Sequence, residues 1–397
     1  MMMFSDSSKS LFATSVAHFI NDGALAVFPL LYPIFTKSYS VSTLSIAVLA
    51  FLLYAVSIFV SPSIGKVSDK SHKYGGLMAS GLFMLAIGIF GYSILALLFN
   101  GLSLVLILVP FTIIAGVGGS FYHPLGATVI REMWESGGHG RAMGINGAVG
   151  SLGRALFPLI VTAILAFSAL PALSVLAAAT AFPGVVVLWV LRKVKFGPNQ
   201  SVENIGSSEQ EKSLPSRKIA KLMMPLITVS FSRGLFTLGI LSFIPLYLTS
   251  VDHFSFSYSG ILYALLLGTG VVSQPIFGYM SDRFGRRLVL QISNIGSFIF
   301  LLLFLETQDP LLAALFLAVF GAFGLTAFPL LLGIVASTSP KGSRTIASSL
   351  VWGVGNTSGT AFGPLVIGVL AEPYLLGSLQ PAFLVLTLMG VTSILLT

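Results

Sequence analysis

The sequence contains no cysteine among its 397 residues. That excludes a disulfide framework, thiol chemistry and thiolate metal sites, and it leaves the redox compartment open. Charge is nearly as scarce: 9% of the residues are Asp, Glu, Lys or Arg, where ordinary soluble domains carry about 25%. So little charge leaves too little polar surface to face water around a body of this size, and a soluble globular domain is excluded. Apolar residues are abundant instead, with 55% in the hydrophobic set, 32 Phe and a mean hydropathy of +0.96. The solvent for such a chain is lipid.

Further absences narrow the chemistry. There is no Gly-x-x-x-x-Gly-Lys-Ser/Thr phosphate loop, so ATP-driven transport within this chain is not expected. There is no His-Glu-x-x-His pair and no Gly-x-Ser-x-Gly elbow, and the five histidines are scattered. No catalytic residue, metal site or cofactor is assigned, and an enzyme is not expected. A channel would favour a repeated filter or a ring of like charges, and neither is present.

A membrane-crossing helix needs about 20 apolar residues. Apolar windows fall at 11–36, 43–65, 75–99, 102–130, 140–167, 170–191, 218–249, 257–279, 287–305, 310–335, 345–371 and 379–397. Short polar turns such as Thr307-Gln308-Asp309-Pro310 separate them. The stretch after the polar N-terminus is too long, and too interrupted by Asn21 and Asp22, for a signal peptide. The expected fold is an all-α membrane protein of twelve transmembrane helices in two six-helix halves, 1–193 and 218–397, joined by a polar linker over 194–217.

If the spans alternate from a cytoplasmic N-terminus, eighteen of the 21 Lys and Arg residues fall at the N-terminus or in cytoplasmic loops. Only Lys37 lies outside, and Arg154 and Arg233 sit within spans. This is the positive-inside pattern. It places a multi-pass protein in the cell membrane with both termini cytoplasmic, and it explains the net charge of +8 by topology and attraction to inner-leaflet lipid, not by nucleic acid.

The chain repeats itself. Gly65-Lys-Val-Ser-Asp69-Lys70 follows the second window, and Gly278-Tyr-Met-Ser-Asp282-Arg283-Phe-Gly285-Arg286-Arg287 follows the eighth. Each has a Pro upstream, Pro62 and Pro275, and the first window of each half carries Phe28-Pro29-Leu30 or Ile244-Pro245-Leu246. The 6+6 arrangement with this paired Gly-x-x-x-Asp-basic motif resembles the major facilitator superfamily. His18-Phe-Ile-Asn21-Asp22, Pro29-Leu-Leu-Tyr-Pro33, Ser120-Phe-Tyr-His123-Pro124 and Gly138-His139-Gly140-Arg141 look like its fosmidomycin-resistance subfamily. The resemblance implies alternating access, and a gating role for Gly65, Asp69, Lys70, Gly278, Asp282, Arg283, Arg286 and Arg287, which hold one conformation by pairing with helix ends. It also implies efflux of a drug-like or phosphonate-type compound, commonly by proton exchange. The first copy of the motif is degenerate, and the early Arg of span four found in many drug/proton antiporters is missing from Val109-Pro110-Phe-Thr-Ile-Ile.

An ionised side chain deep in a bilayer costs on the order of 2.5–3.5 kcal/mol, so such residues face a cavity or a partner. Asp22, Arg154 and Arg233 each lie twelve or thirteen residues from a basic residue at the end of their window, about 18–20 Å along a helix. Asn146, Gly150 and Arg154 share one face of the fifth window. The candidate substrate-binding residues are Arg154, Arg233, Asn146, Asn21 and Asn356. For the two arginines the alternative is a structural pairing with Asp22 or with helix-end carbonyls. Asp22 and His18, at i and i+4, are the candidate proton-coupling pair. His123-Pro124 is read as a kink that frees a carbonyl. The glycines of the fifth and eleventh windows suit either a groove or tight helix packing.

Two Arg and one Asp suit an anion, and protonating Asp22 would strengthen anion binding and the reverse. That linkage favours cotransport, whereas the resemblance favours export. The expected partners are a small-molecule substrate, anionic by charge balance, protons and the bilayer, with no nucleic acid, and the chain is expected to act as a monomer. The expected function is a secondary-active exporter, with proton-coupled uptake of an organic or phosphorylated anion as the alternative.

Overall fold

In lipid every backbone N–H and C=O must find its partner within the protein, and a run of apolar residues does so most simply as a helix. The computed structural model describes residues 5–134, 138–194, 196, 216–339 and 344–397. Among the described residues there are helices and no strands. The linker expected over 194–217 falls mostly outside them.

The helices fall into twelve segments. Spans one to six are Asp6–Ser38, Thr43–Ser71, Tyr74–Ile94, Gly101–Gly119 continued by Tyr122–Met133, His139–Phe167 and Leu173–Leu191. Span seven runs Ser216–Arg233, a π-helical turn Gly234–Leu238, then Gly239–Ser250. Spans eight and nine are Phe256–Phe284 and Arg286–Leu305. Span ten is broken into Pro310–Gly324 and Ala327–Thr338. Span eleven is Arg344–Ser349, a π segment Leu350–Thr357 and Ser358–Leu370, and span twelve is Leu379–Met389 and Val391–Leu395.

Local sequence sets the ends. The turn read at Thr307–Pro310 is an N-cap: the Asp309 carboxylate accepts from the backbone N–H of Leu311 and Leu312 at 2.9 Å each, with Pro310 in the first turn. Ser255 caps span eight by accepting from Tyr258 N at 3.2 Å. Gly285 turns the chain between spans eight and nine at φ +90°, a conformation that L side chains rarely adopt.

The Gly-x-x-x-Asp-basic segments that follow the second and eighth windows continue their helices: span two stays helical to Ser71 and span eight to Phe284. Once out of the apolar layer, backbone hydrogen bonding continues the helix into water without needing apolar side chains.

The chain divides into two compact units, Met1–Phe28 with Val56–Glu209, and Pro29–Ala55 with Gln210–Thr397. In the first, span one packs on span five so closely that a Cβ on Gly153 would overlap the carbonyl oxygen of Phe19, and one on Gly150 the His18 ring. In the second, span seven packs on span eleven in the same way, with Gly359 against the carbonyl of Phe231. The internal repeat thus reappears as one helix crossing built twice. Of the two uses read for these glycines, Gly150, Gly153 and Gly359 serve close packing, while Gly147 has open space around it. Large apolar side chains such as Phe59, Leu106, Phe182 and Val272 stay exposed, a surface suited to hydrocarbon and not to water.

Candidate transport site

The first unit gathers a polar cluster inside its spans. Asp22, 7% exposed, is its centre. Its Oδ2 lies 3.2 Å from Nε2 of His18, one helical turn earlier on span one. Arg154 of span five brings Nε to 3.4 Å from the same oxygen, and Asn21 donates from Nδ2 to Oδ1 at 3.1 Å. His123, from the second piece of span four, places Nε2 3.6 Å from Oδ1.

The break in span four makes the last contact possible. Pro124 lacks an N–H and its ring crowds the carbonyl four residues earlier, that of Ser120. The helix stops at Gly119 and restarts at Tyr122. The freed Ser120 carbonyl accepts from Ser61 Oγ at 3.4 Å, while Ser120 Oγ donates to Ser57 Oγ at 2.9 Å. The restarted helix carries His123 toward Asp22 and lays the Tyr122 ring on His18, centroids 4.4 Å apart at 24°.

His18 is held on both sides. Its Nδ1 is 2.9 Å from the Asn146 backbone carbonyl and 2.9 Å from Oδ1 of the same residue, which also accepts from the Tyr122 hydroxyl at 2.7 Å. A backbone carbonyl only accepts, so Nδ1 carries a hydrogen. In a neutral imidazole Nε2 would then turn a lone pair toward the Asp22 carboxylate. The 3.2 Å contact is favourable only with a second proton between the two groups, on Nε2 or on the carboxyl.

Arg154 has donors to spare. Its Nη2 donates to Ser151 Oγ at 3.0 Å, its Nε contact with Asp22 is an ion pair without a formed hydrogen bond, and 31% of its side chain is exposed. Arg233, in the second unit, is different. At 4% exposure it donates from Nη1 to Ser297 Oγ and from Nη2 to the Gly324 carbonyl, both at 2.8 Å. Gly324 ends the upper piece of span ten, and the neighbouring freed carbonyls are also covered: Phe323 by Ser293 Oγ at 2.6 Å and Leu325 by Gln274 Nε2 at 3.4 Å. One of these contacts is with a helix-end carbonyl, as in the alternative read for Arg233 in the sequence.

Of the remaining expected residues, Asn146 and Asn21 join the cluster and the others do not. Asn146 is buried as the His18 anchor, and Asn21 is buried beside Asp22 with Oδ1 unpartnered. Asn356 lies half-buried in the π segment of span eleven, its backbone carbonyl against Gly234. Gly65 and Gly278 have open space around them. The side chains of Asp69 and Lys70 lie outside the described residues. Asp282 is exposed and makes no ion pair among the described residues. Arg283 lies over the Phe284 ring, 5.5 Å from its centroid, and Arg286 donates from Nη1 to the Gly333 carbonyl at 2.7 Å, tying the start of span nine to the lower piece of span ten.

Sequence reasoning placed His18, Asp22 and Arg154 but read His123 only as part of a kink and did not use Tyr122. The signal present was the His-Pro pair itself, since a proline break re-aims whatever side chain precedes it. Folding also brings two of the five histidines together: the ligand atoms of His18, Asp22 and His123 lie within 4.8 Å of one another, a spacing that would admit a metal ion. Arg154 sets a fixed cation against the same carboxylate, which opposes a divalent metal ion there.

A multi-pass helical membrane protein with an ionisable cluster buried inside its spans has the build of a membrane transporter. The chain belongs to the Major Facilitator Superfamily, whose family model matches residues 14–274 and 253–397. It is similar to the MFS-type transporter YfnC of Bacillus subtilis (strain 168), 26% identical over 391 residues that cover 97% of this chain and 91% of the relative. It is also similar to the fosmidomycin resistance protein of Escherichia coli (strain K12), 26% identical over 298 residues, 72% of this chain and 68% of the relative. Among solved structures, an inward-facing, occupied bacterial homologue of the human lysosomal transporter Spinster shares the fold with a TM-score of 0.76 at 13% identity, covering 98% of this chain and 95% of the other. The family is one of transporters and not of enzymes, and its members carry small molecules across the cell membrane.

Proposed function

We propose that this protein is a proton-coupled secondary transporter that exports a small anionic compound by alternating access. The single observation that carries the reading is the contact between Asp22 and His18, which needs a labile proton because the other ring nitrogen is committed to the Asn146 carbonyl. In this reading Asp22 and His18 hold the coupling proton, and the free donor edge of Arg154 takes the substrate anion with Asn21 as a neutral partner. Arg233 and Asn146 act as positioning residues. Export is supported by the likeness to a fosmidomycin resistance protein. The distribution of Lys and Arg supports cytoplasmic termini, and one chain, holding both repeats, is the transporting unit. Arg286, with Gly278, Asp282 and Arg283, and Gly65, Asp69 and Lys70 in the first copy, acts in gating.

The Asp22–Arg154 ion pair favours a second reading. While Asp22 is ionised it competes with the substrate for Arg154, and protonation releases the guanidinium. Proton and anion then bind cooperatively, as a symporter for uptake would need.

Proton flux in proteoliposomes carrying a pH-sensitive dye separates the two. Fosmidomycin is added first, then carboxylates and phosphate esters. Protons moving against the compound support the exporter, protons moving with it support the symporter, and no flux with any of these anions rules out both.

A further inference from the structure

The third Arg of the Gly-x-x-x-Asp-Arg-x-Gly-Arg-Arg motif is Arg287, for which the resemblance implies gating but which makes no helix-end contact of the kind Arg286 makes. Arg286 is tied to the Gly333 carbonyl. Arg287 is exposed and makes no hydrogen bond or ion pair among the described residues.

Arg287 stands instead between two adjoining cavities within the second unit. One is a narrow crevice of about 230 Å³ with apolar walls that include Leu222 and Leu226 of span seven, Ile334 of span ten and Leu396. The other, wider and more open at about 620 Å³, holds Arg286, Arg287 and Asp282. Arg287, Ile334 and Thr338 line both. The crevice runs from the end of the spans inward: Leu226 lies nine residues beyond Arg217, about 14 Å along the helix. An apolar slot opening on two guanidinium groups and one carboxylate complements an amphiphile with a single anionic head. In a protein surrounded by bilayer, the apolar part of such an occupant is an acyl chain. A free phosphate would leave the apolar walls unmet.

We propose that the crevice between spans seven, nine and ten is a binding site for an anionic phospholipid of the adjoining leaflet, its phosphate on Arg287 and part of one acyl chain along Leu222, Leu226 and Leu396. The Arg287 side chain is thereby an anchor to the membrane surface, distinct from the gating contact of Arg286. The proposal is independent of substrate and direction of transport.

The test is native mass spectrometry of the full-length protein in detergent, titrated with phosphatidylglycerol, phosphatidylethanolamine or phosphatidylcholine. The wild type is expected to retain phosphatidylglycerol in preference to both zwitterionic lipids. R287A should lower that retention about fivefold, the scale of one basic residue at an anionic surface, and R287K should keep most of it. Thr338→Phe, which fills the crevice and leaves the charge, should lower retention of phosphatidylglycerol as R287A does. Equal retention of the three lipids, preference for phosphatidylethanolamine, no effect of R287A, or displacement of the lipid by millimolar inorganic phosphate would each overturn the proposal.

Discussion

Nε2 of His18 and Oδ2 of Asp22 lie 3.2 Å apart while Nδ1 of the same ring is engaged by the Asn146 carbonyl. In the proposed mechanism the pair is the proton-binding unit, and the Asn146 contact fixes its orientation from span five. That arrangement makes the coupling testable separately from substrate binding.

Asp22→Asn removes the ionisable member and keeps the shape. Proton movement driven by substrate should fall to background, while substrate exchange across a membrane without a pH gradient persists. His18→Asn, which keeps a polar group of similar reach, should have the same effect. Unchanged dye response in Asp22→Asn would move the proton site elsewhere.

Arg154 is the partly exposed guanidinium with one hydrogen bond, and Arg233 is the buried one held by two. A hydrogen bond to a charged group contributes about 1.5–3 kcal/mol, so Arg154→Ala should lower transport of an anionic substrate on the order of ten- to a hundredfold in protein that still purifies as a single species. Arg233→Ala should act first on stability, since it strips Ser297 and the Gly324 carbonyl of their buried donor. Transport and melting profiles measured side by side distinguish the two; full transport by Arg154→Ala would end its role as an anion site.

Gly153 and Gly147 lie on one helix but meet different surroundings. A Cβ at 153 would overlap the Phe19 carbonyl, a backbone atom that cannot step aside, whereas 147 has open space. Gly153→Ala should destabilise by about 1–3 kcal/mol, read as an earlier thermal transition, and Gly147→Ala should stay within about 0.5 kcal/mol of wild type.

Asp252 follows span seven outside the membrane segments. Its Oδ2 is buried without a hydrogen-bond partner, and burial pushes its carboxyl up to about 7. The folded protein thus holds this proton from the ordinary carboxylate range up to about pH 7, and the unfolded chain does not. The contribution to stability is complete only below the unfolded carboxyl's 3.8, shrinks as the pH rises beyond it and is gone above about 7. Thermal stability measured from pH 5 to 8 should fall across that window, and Asp252→Asn should flatten the fall.

Much of this molecule was legible in its sequence. The scarcity of charge excluded water as solvent, the apolar windows marked twelve spans, and the repeated Gly-x-x-x-Asp-basic text marked two related halves. These properties depend on the chain's composition and on neighbours in sequence, so reading along the chain finds them. Asp22 stood out for the same reason, as a carboxylate deep in an apolar run.

Tertiary structure decided how the polar residues are used. Arg154 and Arg233 are the same side chain at the same depth in sequence, yet one keeps a free edge beside Asp22 and the other is consumed by the broken end of span ten. His123 enters the cluster only because Pro124 interrupts span four. The glycine stripes became packing surfaces because other helices cross them at backbone distance. A residue's type and depth are local facts, but which donor meets which carbonyl depends on helices from distant parts of the chain, and only their packing fixes it.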